Sequence, residues 1–362
     1  MIRYFYLLIA SFLCLTSITS CNHKTEEAKF ENKFQKKKNL TPGENLKLNN
    51  ENASILELII NDSLALFRHR QSEYFFSIYN LNKSEVVHQF CPRGKGPEEM
   101  ISIGSIWINY ETNTFFVYDV SKEKLFLYSI DCLLSQSYCL PQILSVNSPD
   151  SIKSIYAMAP VNENEVVCTG SFYDGSLAHY NYSDGVIKGF YGHYFVDEKY
   201  KNTPNWLLGH ANQGKVLRNP NSNKFINATY YCGHIEFFSI DNAKYKLNNS
   251  HTIHPTIFEK IDFPTGHSTA ALKKENRLGF IDITYTQDLC FALYSGRSMK
   301  DYGNECVYGR DIYVFTWEGE PTFHYQLGKD ANSIAISNDG KHLYALTVED
   351  DFSLQRFTLN LD

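Results

Sequence analysis

The chain has 362 residues, with 34 Lys and Arg against 40 Asp and Glu for a net charge of −6, and 43% hydrophobic residues that include 25 Tyr and 25 Phe. The negative balance removes the electrostatic ground for nucleic-acid binding, and the aromatic load suits a large core built from strands. Of the nine cysteines, Cys14 and Cys21 belong to the N-terminal segment; the other seven, an odd number that cannot all pair, include no Cys-x-x-Cys or other metal-site spacing and read as small buried hydrophobes.

The N-terminus carries one early cation, Arg3, then an apolar run from Tyr4 to Leu15, then the small residues Ser17-Ile18-Thr19-Ser20 before Cys21. A charged start, a short apolar core and a small-residue exit define a secretory signal over residues 1–20. The apolar run is too short to span a bilayer, which takes about 20 residues. Ile18-Thr19-Ser20-Cys21 resembles the bacterial lipobox, which implies that Cys21 is lipidated and that the chain is tethered in the cell envelope. The expected location is the outer membrane, on its periplasmic or surface face. Residues 21–44 mix both charge signs, as in Lys24-Thr25-Glu26-Glu27 and Lys36-Lys37-Lys38, and offer little to bury. They are expected to form a flexible tether whose removal leaves stability nearly unchanged.

From residue 45 onward the sequence repeats. A polar turn precedes a β-branched or aromatic run six times: Asn61-Asp62-Ser63, Glu111-Thr112-Asn113, Asn162-Glu163-Asn164, Asn221-Ser222-Asn223, Thr286-Gln287-Asp288 and Asn338-Asp339-Gly340. The central residues fall 50, 51, 59, 65 and 52 positions apart. Each copy then supplies two further strands, for example Leu125–Tyr128 followed by Gln136–Leu140, and Ile312–Phe315 followed by Thr322–Leu327. Four antiparallel strands per copy make a propeller blade, and six copies make an all-β six-bladed β-propeller over residues 45–362. The last copy ends one strand short after Leu354–Leu359. A ring must close to remove its sheet edge, so Leu46-Lys47-Leu48 is the expected outer strand of the final blade.

Three segments resemble the TolB-like six-bladed propeller lipoproteins of Bacteroidetes. They are Gly94-Lys95-Gly96-Pro97-Glu98-Glu99, similar to that family's Gly-x-Gly-Pro-x-Glu, then Ala292–Arg297, and Ile312–Gly319. Glu98 stands where the family usually has a second glycine. The resemblance implies the fold and leaves the activity open. The glycine-rich stretch lies between strands and carries Pro97, which lacks an N–H, so it reads as a turn between blades rather than a phosphate cradle.

No Gly-x-Ser-x-Gly elbow or His-Glu-x-x-His helix is present. The insertions Arg93–Ile101, Pro141–Ser151, Tyr191–Gln213, His251–Asn276 and Ser295–Arg310 are expected on one face, with only short turns on the other. Loops on a rigid scaffold gather binding groups, which makes Arg93, Tyr191, His193, Trp206, His210, His267, Arg297 and Arg310 the candidate binding residues. The expected function is that of a monomeric, envelope-anchored binding or scaffold lipoprotein for a protein, peptide or glycan, without cofactor. The alternative is a propeller-type hydrolase or lactonase with Ca2+ or another divalent cation at the axis.

Overall fold

The computed structural model describes residues 26–361 except 47, 49–52, 62, 110, 136–137, 265 and 349–351; the signal segment, Cys21 and Asp62 lie outside the described residues. Six four-stranded antiparallel blades follow one another in chain order. Blade 1 uses Ala53–Asn61, Leu64–His69, Tyr74–Asn80 and Glu85–Pro92, and blade 2 uses Ile103–Asn109, Thr114–Asp119, Lys124–Ser129 and Gln142–Ser145. Blade 3 takes Ile152–Pro160, Glu165–Phe172, Leu177–Asn181 and Ile187–Tyr191; blade 4 takes Gly214–Arg218, Lys224–Thr229, His234–Asp241 and Lys244–Thr252. In blade 5, Phe280–Tyr285, Leu289–Tyr294 and Gly309–Thr316 pair outward to the long strand Pro321–Ile336. That strand changes blade midway: Pro321–Gln326 pairs with blade 5, and Asp330–Ile336 pairs with His342–Val348 as the innermost strand of blade 6.

The six polar turns are the connections between the first and second strands. Local side-chain bonds build them: Asn109 Oδ1 accepts from the N–H groups of Glu111 and Thr112, and Asn162 Oδ1 from those of Asn164 and Glu165. Middle strands are buried on both faces because each blade packs against its neighbours. Lys224–Thr229, for instance, is buried at every position after the first. Outer strands such as Lys244–Thr252 are mostly polar, and in that strand only His251 is buried.

An N-terminal strand closes the ring as expected, but it begins two residues before Leu46-Lys47-Leu48 and shares Leu46 with it. A strand at Glu44–Leu46 pairs antiparallel with Phe352–Thr358 and completes blade 6, with Leu46 opposite Leu354. Lys47 lies outside the described residues.

Two expectations are corrected. The outer strand of blade 2 is Gln142–Ser145, not Gln136–Leu140. Residues 130–141 form a connection containing a short helix, Ile130–Leu134, and a Cys132–Cys139 disulfide. Pro141–Ser151 therefore contains a strand and is not a continuous crossover. The insertion at 130–141 stands on the face expected to hold only short turns, so the long loops are not confined to one face.

The expected tether is the second correction. Residues 26–31 form a helix, α1, and Lys36–Leu40 form a strand, β1, while Glu44–Leu46 is β2. β1 adds a parallel fifth strand outside blade 5, running alongside Phe323–Leu327. Phe30 and Phe34, four positions apart, are 2% and 3% exposed among the aromatic rings of blades 4 and 5. Their ring centroids lie 4.7 and 5.0 Å from that of Tyr313. Lys36 and Lys38, on one face of β1, hold their ammonium groups over the Phe323 ring. Two phenylalanines among many charges are enough to dock the segment, since each buried aromatic contributes a large apolar area.

Phe30→Ala and Phe34→Ala should each destabilise the fold by about 3 kcal/mol or more, whereas Lys29→Ala should be near neutral. Chemical denaturation of the purified variants checks this. Unchanged midpoints for both phenylalanine variants would restore the tether.

Candidate functional site

The innermost strands of all six blades enclose a cavity of about 390 Å³ on the propeller axis. Its middle is charged. Lys215 Nζ donates to Asp282 Oδ1 at 2.9 Å, and Arg68 Nε pairs with Glu57 Oε1 at 2.6 Å. Asp282 also accepts from the N–H groups of Ile283 and Ile334, each at 2.9 Å. It thereby joins blades 4, 5 and 6 around the axis. Burial acts to lower the Lys215 pKa, but Asp282 and Glu57 outweigh it and hold the ammonium above its usual range. Both axial carboxylates thus face a cation. Among the described residues no group of three or more His, Cys, Asp or Glu is gathered to hold a metal ion. The donor set does not fit an axial divalent cation.

Other inner-strand side chains link neighbouring blades. Ser333 Oγ accepts from Leu56 N at 2.9 Å, and Ser105 Oγ accepts from Met158 N at 2.8 Å.

Tyr156, Gln213, Tyr230, Tyr231 and Arg70 line the cavity toward the crossover loops. Beside them stands a cap built from residues 192–213 and 253–279. A helix at Asn205–Ala211, α2, packs on blade 3, where Gly209 approaches Gly170 O so closely that a Cβ would stand 2.3 Å from it. Asn205 Nδ2 donates to Phe172 O and Gly175 O, and Ser171 Oγ donates to Trp206 O. The hairpin Phe258–Asp262/Ser268–Leu272 packs on the same helix, burying Leu208, Ala211 and Phe258.

This cap brings two candidate residues together. Lys153 Nζ sits 3.7 Å from the Trp206 ring centroid, and the His210 ring lies 5.8 Å from Trp206 and 6.3 Å from Tyr156. Burial, aided by Lys153, lowers the His210 pKa and favours the neutral ring. His193 and His267 are exposed, the latter in the loop of the cap hairpin.

The remaining candidates have structural partners. Arg297 grips Asp330 through both terminal nitrogens, at 2.8 and 2.6 Å, and Arg310 Nε meets the same carboxylate. Burial raises the Asp330 pKa, yet the two guanidinium groups outweigh it and hold the carboxyl below its usual range. This knot fastens the loop 295–308 to the passage into blade 6. Arg93 lies 3.5 Å over the Phe75 ring and donates to His69 O. Tyr191 stacks on Tyr245 and donates to Ala243 O at 2.6 Å, in the opposite rim of blade 4.

The Gly-x-Gly-Pro-x-Glu stretch is a turn that closes on itself. Glu99 Oε2 accepts from Gly96 N at 2.6 Å and fills the space a Cβ on Gly94 would need. Lys122 Nζ then donates to Gly96 O and Glu99 O.

Loop-based reasoning missed the axial charges. Their signal was present: Glu57 interrupts Ile55-Leu56 and Leu58-Ile59, and Asp282 interrupts Phe280-Ile281 and Ile283. A charge inside an apolar inner strand faces the axis.

The sequence matches, over residues 55–339, the family described as TolB-like 6-blade propeller-like. Among solved structures the chain is similar to a Bacteroides fragilis protein designated as exported, with a TM-score of 0.51 at 12% identity, covering 90% of this chain and 98% of that one. It is also similar to the β-propeller domain of Cps50 (Swd1) from Myceliophteria thermophila, with a TM-score of 0.45 at 10% identity over 89% and 100% of the two chains. The WD40 repeats of RRP9 give a TM-score of 0.48 at 12% identity over 88% and 97%. No curated protein matches the sequence. At these identities the likeness is one of fold.

Beside the cap, Glu236 is 5% exposed, and burial pushes its carboxyl up to about 7 although the Asn227 amide donates to it at 2.8 Å. The folded chain keeps a proton that the unfolded chain releases near pH 4.5. The folded state therefore binds more protons between those values, and stability falls as pH rises from about 4.5 to about 7, by roughly 3 kcal/mol at most. Glu236→Gln should gain stability relative to the parent across this window and hold the gain above it. Denaturation of both proteins at pH 5 and pH 8 checks this; a difference independent of pH would contradict it.

Proposed function

This chain belongs to the TolB-like 6-blade propeller family, and from that premise we propose that it is an envelope-anchored binding or scaffold lipoprotein. The observation that carries this reading is the crowding of residues 192–213, 253–279 and 295–308 on the crossover face. There they set aromatic and cationic groups beside the mouth of the axial cavity. Such groups are the usual anchors of recognition surfaces. Trp206, with Lys153 and His210 against it, is the central candidate, and the exposed His193 and His267 flank it. The expected partner is a protein, peptide or glycan of the envelope. Arg297 and Arg310 contribute by holding their loop in place through Asp330.

The signal-like N-terminus and Cys21 support export and lipidation, and a disulfide at Cys132–Cys139 suits an oxidising compartment. Among the described residues no helix is long and apolar enough to cross a membrane. With α1 docked from residue 26, a lipid on Cys21 is five residues from the folded body. At about 3.5 Å per residue, the propeller is held within roughly 20 Å of the lipid. α1 meets the crossover side of the ring, where Glu27 pairs with Arg277 and accepts from the Tyr294 hydroxyl. The partner is then met close to the membrane. The hydrolase alternative needs axial carboxylates available to a cation, and no observation favours it.

Two variants test the reading. Cys21→Ala should move the protein from the membrane fraction to the soluble fraction; unchanged membrane association would overturn the anchor. Trp206→Ala should reduce cross-linked capture of envelope partners while leaving the melting temperature within a few degrees, and Lys83→Ala in an opposite turn should not. Loss of capture in Lys83→Ala alone would overturn the choice of face.

A further inference from the structure

A series of aromatic rings joins the cap to the axial cavity. We infer that this series is a binding track for an uncharged oligosaccharide, whose terminal sugar enters the axial cavity while the next sugars lie along the cap. The inference rests on the reading of the crossover face as a recognition surface, and narrows its partner from protein, peptide or glycan to glycan; it does not depend on the lipid anchor.

The series begins at the exposed Tyr173, in the loop between the second and third strands of blade 3. Lys153 Nζ lies 5.1 Å from the Tyr173 ring centroid and 3.7 Å from that of Trp206, and so bridges the two rings. His210 follows one helical turn after Trp206, with its ring 5.8 Å from the indole and 6.3 Å from Tyr156. Tyr156 lies three residues beyond Lys153 on the innermost strand of blade 3, Ile152–Pro160, and lines the axial cavity with Tyr230 and Tyr231. The last two rings meet edge to face at 5.2 Å. Tyr173 is exposed and the other five side chains are half-buried, so each retains surface open to solvent.

A pyranose has an apolar C–H face and a rim of hydroxyl groups, so it matches rings interleaved with hydrogen-bonding groups. That is the pattern of the track. Beside the rings stand the Lys153 ammonium, the Thr269 hydroxyl 3.4 Å from His210 Nδ1, and the Gln213 amide in the cavity wall. Burial lowers the His210 pKa and raises those of Tyr156, Tyr230 and Tyr231. The imidazole and the phenols therefore stay uncharged at neutral pH, where each can donate and accept as sugar hydroxyls do.

The charges in the middle of the cavity are spent on one another. Glu57 meets Arg68, and Asp282 meets Lys215 and two backbone N–H groups. A charged guest would compete with these pairs, whereas hydroxyl groups bond to paired ions without separating them. The volume of about 390 Å³ lies at the small end of ligand pockets and suits a single sugar. A peptide would ask instead for an exposed strand edge or for apolar pockets that take its side chains. Between Tyr173 and Tyr156 the track offers rings and polar groups.

The test is calorimetric titration of the full chain with cellotetraose, maltotetraose, mannotetraose and N-acetylchitotetraose, each beside its own monosaccharide. At least one tetrasaccharide should bind roughly tenfold more tightly than its monosaccharide, with an affinity that added salt leaves unchanged. Tyr173→Ala, an exposed substitution at the outer end, should bring that tetrasaccharide down toward the affinity of the monosaccharide without moving the melting temperature. Trp206→Ala should weaken the tetrasaccharide roughly tenfold. Tyr156→Ala should weaken both sugars, with circular dichroism reporting whether the ring remains folded. Tyr138→Ala, an exposed tyrosine on a different insertion, should leave both affinities as they are. Equal affinity for tetrasaccharide and monosaccharide would overturn the inference, as would full tetrasaccharide affinity in Tyr173→Ala and Trp206→Ala. If no tetrasaccharide binds up to about 10 mM while cross-linked capture of a protein still depends on Trp206, the crossover face stands as the recognition surface and the oligosaccharide is overturned.

Discussion

Three residue pairs, Glu44 with Arg356, Asn45 with Gln355 and Leu46 with Leu354, turn six blades into a ring. A propeller has no central core. Each blade is stabilised by the faces of its two neighbours, and the last blade keeps an open edge until a strand from elsewhere in the chain covers it. Here the covering strand comes from the opposite end of the sequence. Arg356 also forms an ion pair with Glu44 at 2.6 Å across this seam, although both side chains are exposed and the pair adds little by itself. The backbone ladder and the packing of Leu46 beside Leu354 supply the closure.

The same N-terminal segment reinforces the seam from outside. Before β2 completes blade 6, β1 has added a strand to blade 5 and α1 has set two phenylalanines among rings of blades 4 and 5. The segment therefore spans three consecutive blades. Pro321–Ile336 joins blades 5 and 6 through continuous backbone on the same side of the ring. Opening the seam requires releasing all of these contacts, so the N-terminus is a structural part of the ring. On the inside, Asp282 and Ser333 tie the innermost strands of blades 4, 5, 6 and 1. Fixed inner strands give the axial cavity a definite shape.

The six-bladed ring was legible because its signals are local. An asparagine or aspartate that folds a turn does so within a few residues, as at Asn109, Asn162, Asn219 and Asp339. Doubly buried middle strands appear as apolar runs. Outer strands carry no such mark, so the pattern alone does not separate Gln136–Leu140 from the true outer strand Gln142–Ser145. The docked N-terminus is hidden in the sequence for a related reason. Average composition over residues 22–44 is polar, and it hides the two positions, Phe30 and Phe34, that decide the outcome. The candidate site was legible only in part. The crossover loops and Trp206 with His210 followed from the repeat, but the pairing of Arg297 and Arg310 with Asp330 joins residues about 20 to 33 positions apart. The axial pairs join different strands, and in the case of Lys215 and Asp282 different blades. Only the fold brings these partners together.

Hydrogen exchange followed by mass spectrometry reads the seam most directly. If the N-terminal segment is part of the ring, the amides of β1 and β2 should be protected by factors comparable to those of Phe352–Thr358 and should open together with them. Fast exchange of residues 36–46 alongside a fully protected Phe352–Thr358 would contradict this, and would return the segment to the status of a tether.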